Sequence, residues 1–349
     1  SLFGITETPS ATNADELYDL IATELLESRM LPRALFETFN IEVLATTDDP
    51  CDDLAAHRAL ADDNNFTGKV VPTFRPDSYL DPRNPKFSLS LERLFAGSGS
   101  SKKTFQEYLE LLAERRRYFI DHGAVSTDHG VYEAYTTILS AERASQLFDL
   151  AVLGQISDAD AREFAGHMLC EMARMSTEDG LVMTIHAGVF RNHNTATFRK
   201  FGPDTGHDIP VAAEFVNNLS PLLEAYGLNP SLKIILFSLD ETTWGREIAP
   251  LAGFYPSVFI GAPWWFLDAP DSAMRFREKV TEIAGFYKGS GFIDDTRAFL
   301  SIPARHDMAR RVDCSYLARL VAQGRITQEQ ASKIANDLVV AIPKRAFNL

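Results

Sequence analysis

Leu181-Val182-Met183-Thr184-Ile185 is an apolar, partly β-branched run that breaks off into His186-Ala187-Gly188-Val189-Phe190-Arg191-Asn192-His193-Asn194. Five such residues without alternation read as a strand buried on both faces, the pattern of a parallel sheet covered by helices. The polar residues that follow then sit at the strand's C-terminal tip, where (β/α) barrels place their chemistry. Six further runs repeat the pattern: residues 41–45, 69–71, 123–125, 233–237, 257–260 and 291–293. Their tips carry Thr47-Asp48-Asp49, Arg75-Pro76-Asp77, Asp128-His129, Asp240, Trp264-Trp265 and Asp295-Thr296-Arg297. Each run precedes a helical stretch, so the chain reads as α/β, a TIM-type barrel one strand short of the eight that close it.

The 349 residues suit one large domain or two smaller ones. With 45% hydrophobic and 23% charged residues, a sizeable core forms without disulfide or metal staples. Asp plus Glu number 48 against 34 Lys plus Arg, a net charge of −14. Such a field repels phosphodiester backbones and argues against nucleic acid as a partner. An anionic small molecule would need a local cationic pocket. Cys51, Cys170 and Cys314 are odd in number and widely spaced, with no zinc-finger or CxxC pattern. They fit a reduced, cytoplasmic compartment, with Cys170 and Cys314 expected as buried packing residues in helices. No segment approaches a membrane span, no charged-then-apolar leader opens the chain, and a start at Ser1 without Met points to a processed or partial chain. The oligomeric state is left open, a homo-oligomer included.

The organisation expected is a helical segment over residues 1–40, then a barrel domain over 41–349 with helical excursions at 77–122 and 131–180. Asn13 is placed to cap a helix carrying Leu17, Leu20, Ile21 and Leu25, and Pro32 to open the next. Gly123 is expected to end a helix near 103–122, and Ser157 to start one. Further helices are expected at 52–62, 210–226, 241–252 and 272–287, and a tail at 305–341 broken at Gly324. Gly97-Ser98-Gly99-Ser100-Ser101 lacks a preceding strand and the phosphate-loop spacing, so it reads as a linker.

Several tips could carry chemistry. Asp295 and Arg297 stand two apart at the last tip and would project to one side. The Asp can bind a metal or act as a base, and the Arg can hold it ionised and grip an oxyanion. A structural ion pair explains the same residues equally well. The loop from His186 through Arg191 to Asn194, followed by Gly202-Pro203-Asp204-Thr205-Gly206-His207-Asp208, gathers donors and carboxylates as a polar-ligand site would. Asp49 with Pro50 fits a helix start, which leaves Asp48 as the freer carboxylate of its tip. Arg75 offers a cation, Asp128 and His129 stand side by side, and Trp264 and Trp265 offer flat faces for a sugar. For at least one of these Trp, core packing is the expected role.

These segments together resemble uronate isomerase, the glucuronate isomerase family of the amidohydrolase superfamily. The likeness runs through Thr46 to Pro50, Pro72 to Asp77, His122 to His129, His186 to Asn194, Gly202 to Asp208, Gly261 to Phe266 and Asp295 to Ser301, in order. It implies a (β/α)₈ barrel of the metal-dependent hydrolase kind, lacking its first strand in this chain. It also implies an aldose–ketose isomerase interconverting D-glucuronate with D-fructuronate and D-galacturonate with D-tagaturonate. The implied cofactor is a divalent metal, zinc foremost, with Asp295 and His186 among its ligands. The implied catalytic residues are Asp295, Arg297 and His186. Arg191, Arg75, Asp128, Asp48, Trp264 and Trp265 are expected to bind the sugar acid. The family's His-x-His pair has no match, since no two of the eight histidines stand two apart. A hydrolase of a sugar lactone or amide, and an inactive sugar-acid binding barrel, are the alternatives.

Overall fold

The computed structural model describes every residue except 1, 98–101 and 297, and five of the seven expected runs fall on its six parallel strands. These are β1 (Val43–Ala45), β2 (Lys69–Val71), β3 (Ser126–Val131), β4 (Val182–Ala187) and, after a small antiparallel pair β5 (Val189–Phe190) and β6 (Ile209–Pro210), β7 (Ile234–Ser238) and β8 (Val258–Ile260). β1 pairs with β2, and β3, β4, β7 and β8 follow one another in parallel. Single parallel bridges join the pieces, from Asp48 to Phe74, from Phe74 to Thr127 and from Ile260 to Gly289. The outcome is one arc of parallel segments in chain order, crossed over by helices, as a (β/α) barrel requires.

Strand register separates two faces. Asp128 lies opposite Thr184, Gly130 opposite His186, His186 opposite Phe237, and Ile235 opposite Phe259. Val182, Ile235, Phe237 and Phe259 pack together on the inner side with Trp264 and Ala346. The alternate residues Met183, Ile185, Leu236, Val258 and Ile260 join the large core under the helices. Both faces are therefore buried, which is why the runs show no polar alternation. Each fully buried aliphatic side chain in them contributes roughly 1.5–3 kcal/mol.

Two strands differ from expectation. Gly123 adopts φ +89° and its N–H donates to Ile120 O at 2.9 Å, so residues 122–124 finish the helix Phe105–Asp121. The third strand starts at Ser126 instead, and Asp128 and His129 lie inside it. At the last run, residues 291–296 form no strand. Gly291 turns at φ +76°, and a Cβ there would come within 2.5 Å of Pro343, so the helix Ala341–Phe347 crosses close by and only Gly289 keeps a sheet bridge.

The helices follow their local signals in most places. Ser157 accepts from the Asp160 N–H and Gly180 closes the helix Asp158–Asp179 at φ +78°. Pro32 opens Pro32–Thr38, which buries Leu35 and Phe36. Asn13 precedes Ala14–Glu24, but its Oδ1 accepts from Ser10 N and leaves the helix uncapped, and none of that helix is buried. The helix expected from 210 begins at Val216, because Ile209–Pro210 pairs with β5. Over 241–252 a π-type turn, Trp244–Ile248, precedes Ala249–Phe254. Asp49 starts no helix; it accepts from Cys51 N and from the Tyr79 hydroxyl, and Ala55–Ala61 begins later. The tail forms Ile302–Ala322, Gln328–Val339 and Ala341–Phe347, with Gly324 at φ +66° in the first break. Cys170 is buried as expected, whereas Cys314 is exposed. Among the described residues no helix is long and apolar enough to cross a membrane.

Candidate active site

A cavity of about 1530 Å³ sits at the C-terminal ends of the strands. Its walls bring together Arg75, Asp128, His186, Arg191, Trp264, Trp265 and Asp295. Asp48 does not line it, and Arg297 falls outside the described residues.

Asp128 is the hub. Its Oδ1 lies 2.7 Å from His186 Nδ1, though the ring is not turned to give a directed hydrogen bond. Oδ1 also accepts from Thr184 Oγ1 at 3.2 Å, and Oδ2 lies 3.3 Å from Arg75 Nη1. Burial opposes its ionisation, yet the charges of His186 and then Arg75 hold its carboxyl well below the usual range. His129, its neighbour in sequence, points the opposite way under the helices, where Nδ1 donates to Thr184 O at 3.0 Å and burial pushes the ring down to about 4. The two adjacent titratable groups thus serve different faces of one strand.

The His186 ring is fixed by aromatic contacts. Phe237 stacks on it, with centroids 4.3 Å apart and planes at 10°, and Trp264 meets it edge-on at 5.0 Å. Phe237 occupies that place because residue 261 is glycine; a Cβ there would lie 2.4 Å from the Phe237 ring. Trp264 is only 5% exposed and packs, whereas Trp265, at 38%, shows a face on the cavity rim.

Arg75 is held from two sides. Its Nε donates to Asp77 Oδ2 at 2.9 Å, and Asp77 Oδ1 accepts from Gly130 N at 3.0 Å. Burial lowers the guanidinium's proton affinity, but Asp77, Asp128 and Asp295 more than offset this and Arg75 stays charged. Arg191 lies on the following loop, 3.2 Å from Asp208 and 3.5 Å from Asp204, with its guanidinium 5.2 Å from the centre of the Trp265 ring. Asp208 also accepts from Asn192 N at 2.7 Å, so the donor-rich loop is internally bonded as well as facing the cavity. Asp295 is exposed, at φ +40°, on a segment held by Arg305, which pairs with Asp268 and Asp294. Asp48 accepts from Thr46 Oγ1 at 2.7 Å and from Thr73 N at 3.2 Å, tying the first two strand ends together.

Asp77, Gly130, Phe237 and Gly261 join the site without being sequence candidates for it. Asp77 lay in view within Pro72 to Asp77, but Gly130 and Gly261 gain meaning only through the strand register. Among the described residues no group of three or more His, Cys, Asp or Glu is arranged to hold a metal ion. His186 and Asp295 are two donors on one cavity and do not complete a coordination set.

A (β/α) barrel with a half-buried carboxylate, an imidazole and two guanidinium groups around one polar cavity is the site of an enzyme that handles a small anionic, hydroxylated molecule. Comparison with known proteins narrows this. The family model described as glucuronate isomerase matches residues 1–347. The uronate isomerase of Cutibacterium acnes is 51% identical over 348 residues, covering 100% of this chain and 74% of that protein. The crystal structure of glucuronate isomerase from Caulobacter crescentus superposes with a TM-score of 0.96 at 48% identity, covering 100% of this chain and 72% of that one. The uronate isomerase structure from Thermotoga maritima gives 0.92 at 27% identity, over 99% and 76%. The chain belongs to the glucuronate isomerase family, and the isomerase reading is favoured over the hydrolase and the inactive barrel.

Proposed function

We propose that this cavity interconverts D-glucuronate with D-fructuronate, and D-galacturonate with D-tagaturonate, by proton transfer from C2 to C1 through an enediol. The observation that carries the reading is Asp128 held charged between His186 and Arg75 on one cavity wall, in a chain whose residues 1–347 match the glucuronate isomerase family. The reaction needs a base near C2, an acid near the carbonyl oxygen and relief for the developing negative charge. Asp295 serves as base, and Arg297, two residues on in the sequence, stabilises the enediolate. His186 orients or polarises a substrate oxygen while Asp128 fixes its ring. Arg75 or Arg191 clamps the C6 carboxylate, for which a planar guanidinium is suited. The Trp265 face packs on the sugar's C–H groups, and Asp48 acts from outside the lining by holding the strand ends. The partner is a small sugar acid, and the unpaired thiols fit a cytoplasmic setting.

A divalent cation, zinc foremost, belongs to this proposal, with Asp295 and His186 as the donors this chain offers; it would supply Lewis-acid polarisation of a substrate oxygen. Those two alone do not complete a coordination set. Elemental analysis of the purified protein tests the point: bound metal that drops in Asp295→Asn is expected, and unchanged metal content contradicts the ligand role. For the reaction, ketose formation from D-glucuronate is the assay, with ring opening of a sugar lactone as the contrast. Asp295→Asn should lower turnover by about 10²-fold or more. Near-normal turnover in that variant contradicts the assignment.

A further inference from the structure

We infer that Asp77 is a positioning residue that aims Arg75 at the substrate carboxylate, and that the bare backbone of Gly130 is the seat that makes this possible. The inference rests on the proposed role of Arg75 as a carboxylate clamp. A guanidinium on a flexible stem binds a carboxylate well only when its fork is held in place. Here the Nε edge is taken by Asp77 Oδ2 at 2.9 Å, and Nη1 approaches Asp128 Oδ2 at 3.3 Å. These two contacts fix the plane of the fork, and the guanidinium lines the cavity where a ligand carboxylate can meet it.

Asp77 is in turn anchored to the barrel itself, because Gly130 N donates to its Oδ1 at 3.0 Å. A Cβ at residue 130 would come 2.7 Å from Arg75 Nη2 and 2.9 Å from Asp77 Oδ2, so any larger residue pushes both side chains off the strand. Gly130 is also the register partner of His186. One backbone position therefore sets the spacing between the guanidinium that grips C6 and the imidazole that faces the reacting end. Nothing in the isomerisation chemistry calls for Asp77 directly; it acts through Arg75.

The experiment compares competitive inhibition of glucuronate turnover by a sugar acid, D-gluconate, and by its uncharged counterpart, D-glucitol. Asp77→Asn keeps shape and the acceptor for Gly130 N–H but removes the charge. In this variant KM should rise about tenfold and the preference for gluconate over glucitol should fall about tenfold, with kcat within about threefold, as expected when only ligand binding is weakened. Gly130→Ala, which keeps Asp77 charged, should erase the same preference. Gluconate and glucitol weakened equally in both variants, or an unchanged preference in either folded variant, overturns the inference. Arg75→Met separates the layers: if it leaves the acid preference intact, the clamp reading itself falls. If it erases the preference while Asp77→Asn and Gly130→Ala do not, only the positioning role falls.

Discussion

Asp128 and His186 meet at 2.7 Å across a diagonal of the sheet: Asp128 is in register with Thr184, and His186 with Gly130. Neither is at the edge of its strand pair, so the contact is set by backbone register as well as by rotamer choice. The carboxylate sets a negative charge beside the imidazole, whose ring is held by Phe237 and Trp264.

Asp128→Asn keeps the shape of the side chain and loses the charge. Turnover should fall by about 10–100-fold, the usual cost of removing such a supporting carboxylate. Steady-state kinetics together with circular dichroism check this; wild-type turnover in a folded variant would remove Asp128 from the account.

Gly261→Ala would place a Cβ 2.4 Å from the Phe237 ring, which stacks on His186. Overpacking of this kind costs about 1–3 kcal/mol, and the displaced ring should carry His186 with it and lower turnover. Gly253→Ala is the control, since its Cβ would meet only Ile283 O at 3.7 Å inside the helix Ala249–Phe254. Urea midpoints should drop for the first and hold or rise for the second, because Ala favours a helix over Gly.

His129 is buried and neutral, with its ring pushed down from 6.5 to about 4 by burial. On acidification the unfolded chain takes up this proton before the folded one does. Stability from this site is complete above pH 6.5 and declines as the pH falls toward about 4. The full loss is roughly 3 kcal/mol. Urea midpoints at pH 7 and pH 4.5 measure it, and His129→Gln should flatten the difference by about 2 kcal/mol or more. An identical pH response in the variant would show that His129 does not titrate as its burial implies.

Much of the barrel was legible because buried parallel strands write themselves as unbroken apolar runs, as β4 and β7 do. The third run differs because Gly123 and Ala124 still bond back to the preceding helix, and the strand begins only at Ser126. The seventh failed as a strand because Gly291 packs against Pro343, a contact between residues far apart in sequence. At the site, Arg75, Asp128 and His186 stood out as charged residues at strand ends. The glycines at 130 and 261 carry no chemistry of their own, and their part, leaving space for a neighbour, depends on register. Asp48 reads as free as Asp128 in sequence, yet its Oδ2 accepts from both Thr46 and Thr73 and it does not line the cavity.

The rate at which the purified protein converts D-glucuronate to its ketose, measured alongside His186→Gln, tests the proposed reaction most sharply. The unaltered protein should form ketose and the variant should lose about 10²-fold or more, since the imidazole lines the cavity beside Asp128. Turnover undiminished in a folded His186→Gln, or ring opening of a lactone with no ketose formed, would contradict the proposed reaction.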